Sequence, residues 1–201
     1  DTLDAGAGND TLNGGAGNDI LLAGQSDVDD SFVNVMMGEE GDDTLTGDQR
    51  WLGTVIASHE NDPSAVTVDL GLGYAMDGWG DMDTLTHIDS VIGSTFDDSL
   101  TGNANINVLT GGAGNDVLDG VEGDDTLAGS AGMDSYWMRR GSGHDTITET
   151  DGEQSRLILE DLALEDLRGE MQGNNLLLRS SKALDSVLIK DYASSGLDWR
   201  V

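Results

Sequence analysis

The sequence predicts an all-β chain: a parallel β-roll, or flattened β-solenoid, ending in a β-rich C-terminal capping segment. Two observations predict it. A nine-residue frame, G-G-x-G-x-D-x-U-x with U a large apolar residue, recurs along the chain, most clearly at Gly14–Leu22 and Gly111–Asp119. The charge is lopsided too: 39 acidic residues face 9 basic ones, a net charge of −30, and the excess lies in the repeats.

Apolar content of 37% and aromatic content of 4% are too low for a large globular core. A chain this acidic and glycine-rich stays unfolded unless something neutralises it, and cations are the obvious partners. Nucleic acid and anionic membrane surfaces are excluded as partners by the same charge. There is no cysteine, hence no disulfide and no thiolate metal site. No N-terminal signal peptide or apolar run of membrane-spanning length is present. Asp1-Thr2-Leu3-Asp4 fall on positions six to nine of a repeat, as expected of a piece of a longer protein. The chain is expected to be monomeric.

The frame divides the chain into four parts. Residues 1–46 form a first repeat block, with units at Ala5–Asn13, Gly14–Leu22, a degenerate Asp29–Met37 and Gly38–Thr46, interrupted by the insertion Ala23–Val28. Residues 47–88 show no nonapeptide frame; Val66 to Leu70 alternate as a strand does, and the Gly-, Asp- and Trp-rich stretch Gly73–Asp83 reads as loop. Residues 89–148 form a second block: a half-unit from Asp89, units opening at Gly93, Gly102, Gly111, Gly120 and Gly129, and a last one at Arg140–Thr148. In residues 149–201 the frame is lost and most of the basic residues are found. Arg156–Leu159, Asn175–Arg179 and Ser186–Lys190 read there as strands, and Leu164–Leu167 as one helical turn.

Within a unit, positions one to six turn sharply, which glycine permits by reaching positive φ. Positions seven to nine make a short strand whose central residue points inward, because side chains alternate along a strand. That predicts a core of Leu12, Leu21, Met36, Leu45, Val91, Leu100, Leu109, Leu118, Leu127, Tyr136 and Ile147. Three residues span only about 10 Å, so two units make one coil and each turn stacks on the turn two units away. The gap between stacked turns is then lined by hard oxygens, which suit Ca²⁺ with its six to eight ligands better than Mg²⁺. The carboxylate candidates are Asp10, Asp19, Asp43, Asp98, Asp116, Asp125, Asp134 and Asp145. The carbonyl candidates are Gly6, Gly8, Gly15, Gly17, Gly41, Gly112, Gly114, Gly123, Gly132, Gly141 and Gly143. Partners across a gap are Asp98 with Asp116, Asp116 with Asp134, and Asp125 with Asp145. Asn34 and Asn107 replace the aspartate in their units and should weaken theirs. A metal-free solenoid is disfavoured because stacked carboxylates repel one another.

These units resemble the nonapeptide repeats of the RTX, or haemolysin-type, family of bacterial secreted proteins. The likeness rests on GGAGNDILL, GEEGDDTLT, GGAGNDVLD and GVEGDDTLA. Val66–Leu70 with Asp83–Leu85 and Ile88–Gly93 is similar to inter-block segments of large RTX toxins and adhesins. Tyr136-Trp137 and Gly141–Ile147 resemble a last repeat and cap. The resemblance implies several bound Ca²⁺ ions and export by type I secretion machinery acting on the parent protein. It implies a secreted, extracellular or cell-surface location, and binding-coupled folding outside the cell. It equally allows an adhesin or carbohydrate-binding module, or the non-catalytic tail of a secreted protease, lipase or toxin.

No catalytic constellation is expected in this chain. His59-Glu60 lacks the second histidine of H-E-x-x-H, and no G-x-S-x-G elbow occurs. Asp62-Pro63, a self-cleavage site in some RTX proteins, reads as a turn. His144 reads as a solvated loop residue. Ice binding would need a regular rank of Thr and Asn at turn positions three and five, which is missing. Trp51, Trp79 and Trp137 offer faces for sugars, but read more simply as cover for the roll. Spacings from Asp27, Asp29, Asp81 and Asp83 do not complete an EF-hand loop.

Overall fold

The computed structural model describes residues 1–24, 32–48, 53–149, 155–182 and 184–192. Most of the Ala23–Val28 insertion, the start of the Asp29–Met37 unit and Trp51 lie outside them. Among the described residues the chain alternates between two ten-stranded sheets. Strands β1 (Thr2–Asp4), β2 (Thr11–Ala16), β3 (Ile20–Leu22), β4 (Val33–Glu40) and β5 (Thr44–Thr46) come from the first block. Next come β6 (Thr54–Ser58), β7 (Thr67–Asp69), β8 (Tyr74–Met76) and β9 (Met82–Thr86). The second block gives β10 (Ser90–Ile92), β11 (Ser99–Thr101), β12 (Val108–Ala113), β13 (Val117–Asp119), β14 (Thr126–Ala131), β15 (Ser135–Met138) and β16 (His144–Thr148). Four strands follow: β17 (Arg156–Leu159), β18 (Leu167–Gln172), β19 (Asn175–Ser180) and β20 (Ser186–Ile189), with a 3₁₀ turn at Leu164–Asp166.

One sheet runs β1-β3-β5-β9-β8-β7-β11-β13-β15-β17, the other β18-β19-β20-β16-β14-β12-β10-β6-β4-β2. Both therefore pass through both repeat blocks. The repeat strands pair in parallel with no slip: Leu100 lies beside Leu118, and Leu109 beside Leu127. A one-residue slip would turn every apolar centre outward, so the pattern itself holds the register. All eleven residues named for the core are buried, Leu21, Met36, Leu100, Leu109, Leu118 and Tyr136 completely. Burying each large side chain is worth about 1.5–3 kcal/mol relative to leaving it exposed, and one such residue per unit is what a thin two-layer roll can hold.

The inter-block segment departs from its sequence reading. It joins the roll: β6 lies between β4 and β10, while β9 pairs with β5 and β7 with β11, both parallel. The stretch expected as loop contains β8, antiparallel to both β7 and β9. A strand flanked on two sides satisfies all its backbone groups, and here that outweighs glycine-rich composition. Ala75, its central residue, is fully buried and small enough to fit beneath the sheet.

At the far end β20 continues the parallel ladder on β16, and β19 and β18 turn it antiparallel. The hairpin covers an edge that would otherwise offer unpaired backbone groups. Arg168, Glu170 and Arg179 on its strands are exposed and keep that margin charged.

Candidate metal centre

The position-six residues form two columns, one at the entrance to each sheet. In the second block Asp98 donates its backbone N–H to Oδ1 of Asp116, and Asp116 does the same to Asp134, both at 2.8 Å across 18 residues. In the other column Asn107 donates to Oδ1 of Asp125 at 2.8 Å, and Asp125 to Asp145 at 3.2 Å. The first block repeats the arrangement despite its insertion, Asp19 to Asp43 at 2.7 Å across 24 residues and Asp10 to Asn34 at 2.9 Å. All three pairs named from the sequence are thus brought together.

In Asp43, Asp116, Asp125, Asp134 and Asp145 one oxygen, Oδ1, is used up in this ladder. The second oxygen, Oδ2, of Asp10, Asp19, Asp43, Asp116 and Asp125 is shielded from water and meets no hydrogen-bond donor. Leaving such an oxygen uncompensated costs several kcal/mol if it is charged. In the units of Asp19, Asp43, Asp116 and Asp125 its place is fixed by the glycine at position one. A Cβ on Gly111 or Gly120 would stand 2.1 Å from Oδ2 of Asp116 or Asp125. Asp98 differs, because Ser94 donates both its N–H and its hydroxyl to the carboxylate.

The stacking brings carbonyls close as well. All eleven glycines chosen for their carbonyls have positive φ. Gly132 shows why no other residue serves: with φ of +134° its Cβ would sit 1.8 Å from the carbonyl oxygen of Gly114, in the turn below. Among the described residues no group of three or more His, Cys, Asp or Glu side chains forms a ready-made metal cage. A cation in these gaps would draw on two carboxylates and on backbone oxygens, a hard donor set that fits Ca²⁺.

Electrostatics point the same way. Burial pushes the carboxyls of Asp116, Asp125 and Asp145 up to about 7, helped by the carboxylates stacked around them. Asp43 and Asp98 are raised for the same leading reason. Asn107 escapes this cost. Its Oδ1 accepts the N–H of Asn103 at 2.7 Å and its Nδ2 donates to the carbonyl of Asp89 at 3.1 Å. Asn34 likewise donates to the carbonyl of Ala23 at 2.8 Å. Each amide thus finds partners for its polar atoms within the chain.

Several members of the columns were missed in the sequence. Asp83 accepts the N–H of Asp43 at 2.9 Å and so extends the first-block column. Gly78–Thr86 is a degenerate unit, with Gly78, Asp83 and Leu85 at positions one, six and eight. Asp185 holds the amides of Gly141 and Gly143, and Ser155 takes the N–H of Asp134 at 3.1 Å. Each begins a short D-x-U or S-x-U run, Asp83-Thr84-Leu85, Asp185-Ser186-Val187 and Ser155-Arg156-Leu157, which was the available signal. Of the aromatic candidates, Trp137 is half-buried with the Arg139 guanidinium 5.9 Å from its ring centre, and Trp79 is half-buried.

A parallel β-roll with carboxylates stacked at every second turn defines a class of solenoid repeat protein. Residues 1–27, 30–49, 83–105, 92–127 and 101–135 match the family model of the RTX calcium-binding nonapeptide repeat. The chain belongs to that family, and its repeats are of the calcium-binding kind. The extracellular lipase LipA from Serratia marcescens is similar in structure over 94% of this chain, at 17% identity and a TM-score of 0.31. This chain spans 39% of that lipase. Among curated proteins no sequence matches. No helix among the described residues is long and apolar enough to cross a membrane.

Proposed function

We propose that this chain is a Ca²⁺-dependent folding module of a secreted bacterial protein. Where Ca²⁺ is scarce the polyanion stays extended and can be threaded through a type I exporter. Where Ca²⁺ is plentiful the roll forms and holds its parent outside. The observation that carries this reading is the row of buried, unpartnered Oδ2 atoms at Asp19, Asp43, Asp116 and Asp125.

In the gaps the ligands would be the position-six carboxylates with carbonyls such as those of Gly114 and Gly123. When bound, Ca²⁺ supplies the positive charge that lets buried carboxylates stay ionised. The residues do the rest: glycines bring the turns together, and the inward leucines fix the register that aligns the columns. A ligand that binds only the folded form stabilises it by mass action at every site. Because each turn touches only its neighbours, folding spreads along the roll, and the less acidic residues 149–201 would close its end. Any catalytic activity belongs to other parts of the parent.

Circular dichroism during a Ca²⁺ titration of the chelator-treated chain tests the reading. A cooperative gain of strand signal is expected. A spectrum rich in strand before Ca²⁺ is added, and unchanged by it, overturns the proposal.

A further inference from the structure

The capping hairpin leaves a strand edge uncovered. Among the described residues β18 is the last strand of its sheet, and all of it but Leu167 is exposed. The direction of its backbone groups follows from a single hydrogen bond. The N–H of Ser181 donates to the carbonyl of Asp166 at 2.7 Å, in register with the pairing of Leu167 with Ser180 and of Arg168 with Arg179. Hydrogen-bonded and non-hydrogen-bonded pairs alternate along an antiparallel ladder, so Arg168, Glu170 and Gln172 turn their backbone groups towards β19. Leu167, Gly169 and Met171 turn theirs away from it. Leu167 spends its N–H on the carbonyl of Leu164, and its own carbonyl accepts Nη1 of Arg168 at 2.8 Å. Gly169 and Met171 present theirs on the outer edge.

The side chains on this edge are complementary to themselves. Gly169 stands between Arg168 and Glu170, and Leu167 and Met171 lie beyond them. A second copy laid antiparallel about Gly169 sets its Glu170 opposite Arg168, its Met171 opposite Leu167 and its Gly169 opposite Gly169. A hydrogen-bonded pair at Gly169 is what the outward backbone groups allow, so charge pattern and backbone phase agree. Moving the two-fold onto Arg168 or Glu170 sets like charges face to face, and parallel in-register pairing does the same. Within its own hairpin Arg168 already stands directly opposite Arg179, while Glu170 lies 4.0 Å from Arg179. Like charges placed so are destabilising, and Glu170 of a second copy supplies the missing carboxylate. The fold itself does not demand glycine at this place. A Cβ on Gly169 would meet Leu176 and Leu178 at 3.5 Å, ordinary contacts, and its φ is not left-handed. At a two-fold it leaves room for Leu167 and Met171 of the two copies to meet, and Met171 is 49% exposed.

We propose that β18 is a docking edge for a second copy of this chain, the two strands pairing antiparallel about Gly169. The ten-stranded sheets of the two copies then run into one another. Side chains alternate across a strand, so Leu167, Met171, Leu176 and Leu178 share one face of the joint and Arg168, Glu170 and Arg179 the other. Charges on an edge strand resist indiscriminate pairing. Here the same charges admit one orientation and one register, which is how repulsion confers specificity. A contact of this two-fold kind closes at two copies. It is small, of the transient class. It lies in the capping hairpin rather than in the repeat units, so it does not rest on the calcium reading beyond needing the cap to be folded.

Sedimentation equilibrium of the Ca²⁺-saturated chain, from low micromolar to millimolar concentration, tests this. A reversible monomer–dimer equilibrium is expected, with no larger species. Arg168→Glu and Glu170→Arg each set like charges across the two-fold and should weaken the dimer at least about 10-fold, with bound calcium and the strand spectrum as before. Mixing the two variants in equal amounts restores opposite charges and should bring the association back. Met171→Pro removes an outward N–H without touching the pairing with β19, and should abolish the dimer. A chain that stays monomeric across the range overturns the proposal. A dimer that every variant keeps overturns it also, since the contact then lies elsewhere. A dimer weakened in both charge variants but not recovered in their mixture overturns the pairing about Gly169. The Arg168 guanidinium also holds the carbonyls of Glu165 and Leu167; if Arg168→Glu does not fold, unchanged affinity in Glu170→Arg is the overturning result. Unaltered dimerisation of a chain whose strand spectrum ignores Ca²⁺ would sink the calcium reading alone.

Discussion

Asp116 donates its backbone N–H to Oδ1 of Asp134 while its own Oδ1 accepts the N–H of Asp98, each at 2.8 Å. Asp43 is clamped from both sides in the same way, and in both residues the Oδ2 left over lies beside the position-one glycine, Gly111 or Gly38. The two columns are unequal. One runs as carboxylates from Asp19 through Asp43 to Asp83 and again from Asp98 through Asp116 to Asp134, with the Val66 N–H on Asp98 in between, whereas the other carries amides at Asn34 and Asn107.

Asp116 borders two gaps, so Asp116→Ala should release more than one Ca²⁺ per chain. Asp145→Ala, nearer the end of its column, should release fewer. Metal analysis of the purified, Ca²⁺-equilibrated proteins decides this. Equal losses in the two variants would mean that ions are not shared between stacked turns.

Acidity should partly replace calcium. The carboxyls of Asp83, Asp116, Asp125 and Asp145 are raised to about 7 by burial, from an ordinary value of 3.8. Groups raised on folding favour the folded state fully below their unfolded pKa, and that help is lost as pH rises through the folded one. The metal-free chain should therefore gain strand between pH 8 and pH 5, and Ca²⁺ binding at pH 7 should release protons. Ellipticity in chelator across that range, with proton release followed in weak buffer, is the measurement. A metal-free chain more folded at pH 8 than at pH 5 would contradict the burial of these carboxylates.

Much of this was legible in the sequence because one nine-residue frame encodes turn, strand and ligand together. The position of Leu118 in its unit gives its burial, and the eighteen-residue spacing of Asp98 and Asp116 gives their contact. What was not legible is where the frame is cut short. Gly78–Thr86 keeps its glycine, aspartate and leucine but has Trp79 and Asp81 where the frame asks for glycine, and β8 has no frame at all. Tyr74-Ala75-Met76 is a strand because β7 and β9 flank it, a tertiary cause that no local pattern carries. His59 Nδ1 lies 3.1 Å from Oδ2 of Asp62, a contact likewise made by a turn anchored on β10, distant in sequence, through the His59 N–H and the Ile92 carbonyl.

Asn107→Asp should create a calcium site at a cost to the metal-free state. The asparagine now donates Nδ2 to the carbonyl of Asp89 at 3.1 Å. An aspartate oxygen there would face that carbonyl and the carboxylate of Asp125, like charges that repel until a cation enters. One additional Ca²⁺ per chain is expected, with a steeper titration and less strand in chelator. An unchanged ion count would show that the amide is not what closes the gap.

Position two is left-handed in several units, though not at Ser94 or Asn103, and Val121 adopts it with φ of +76° where Gly112 and Gly141 sit at +114° and +86°. A β-branched side chain there costs about 1–2 kcal/mol. Glycine removes that strain but gives back about 0.5–1 kcal/mol through its freer unfolded chain. Val121→Gly should therefore stabilise the Ca²⁺-bound roll by up to about 1 kcal/mol, read as a higher urea midpoint at saturating Ca²⁺. Gly132→Ala works in the opposite sense, because its methyl group would overlap the Gly114 carbonyl, 1.8 Å away, at a φ of +134°. It should cost more than about 2 kcal/mol, beyond ordinary surface substitutions, and reduce bound calcium as the two turns part. A lower midpoint for Val121→Gly, or an unchanged one for Gly132→Ala, would mean that the turns are not packed as tightly as the stacked carbonyls require.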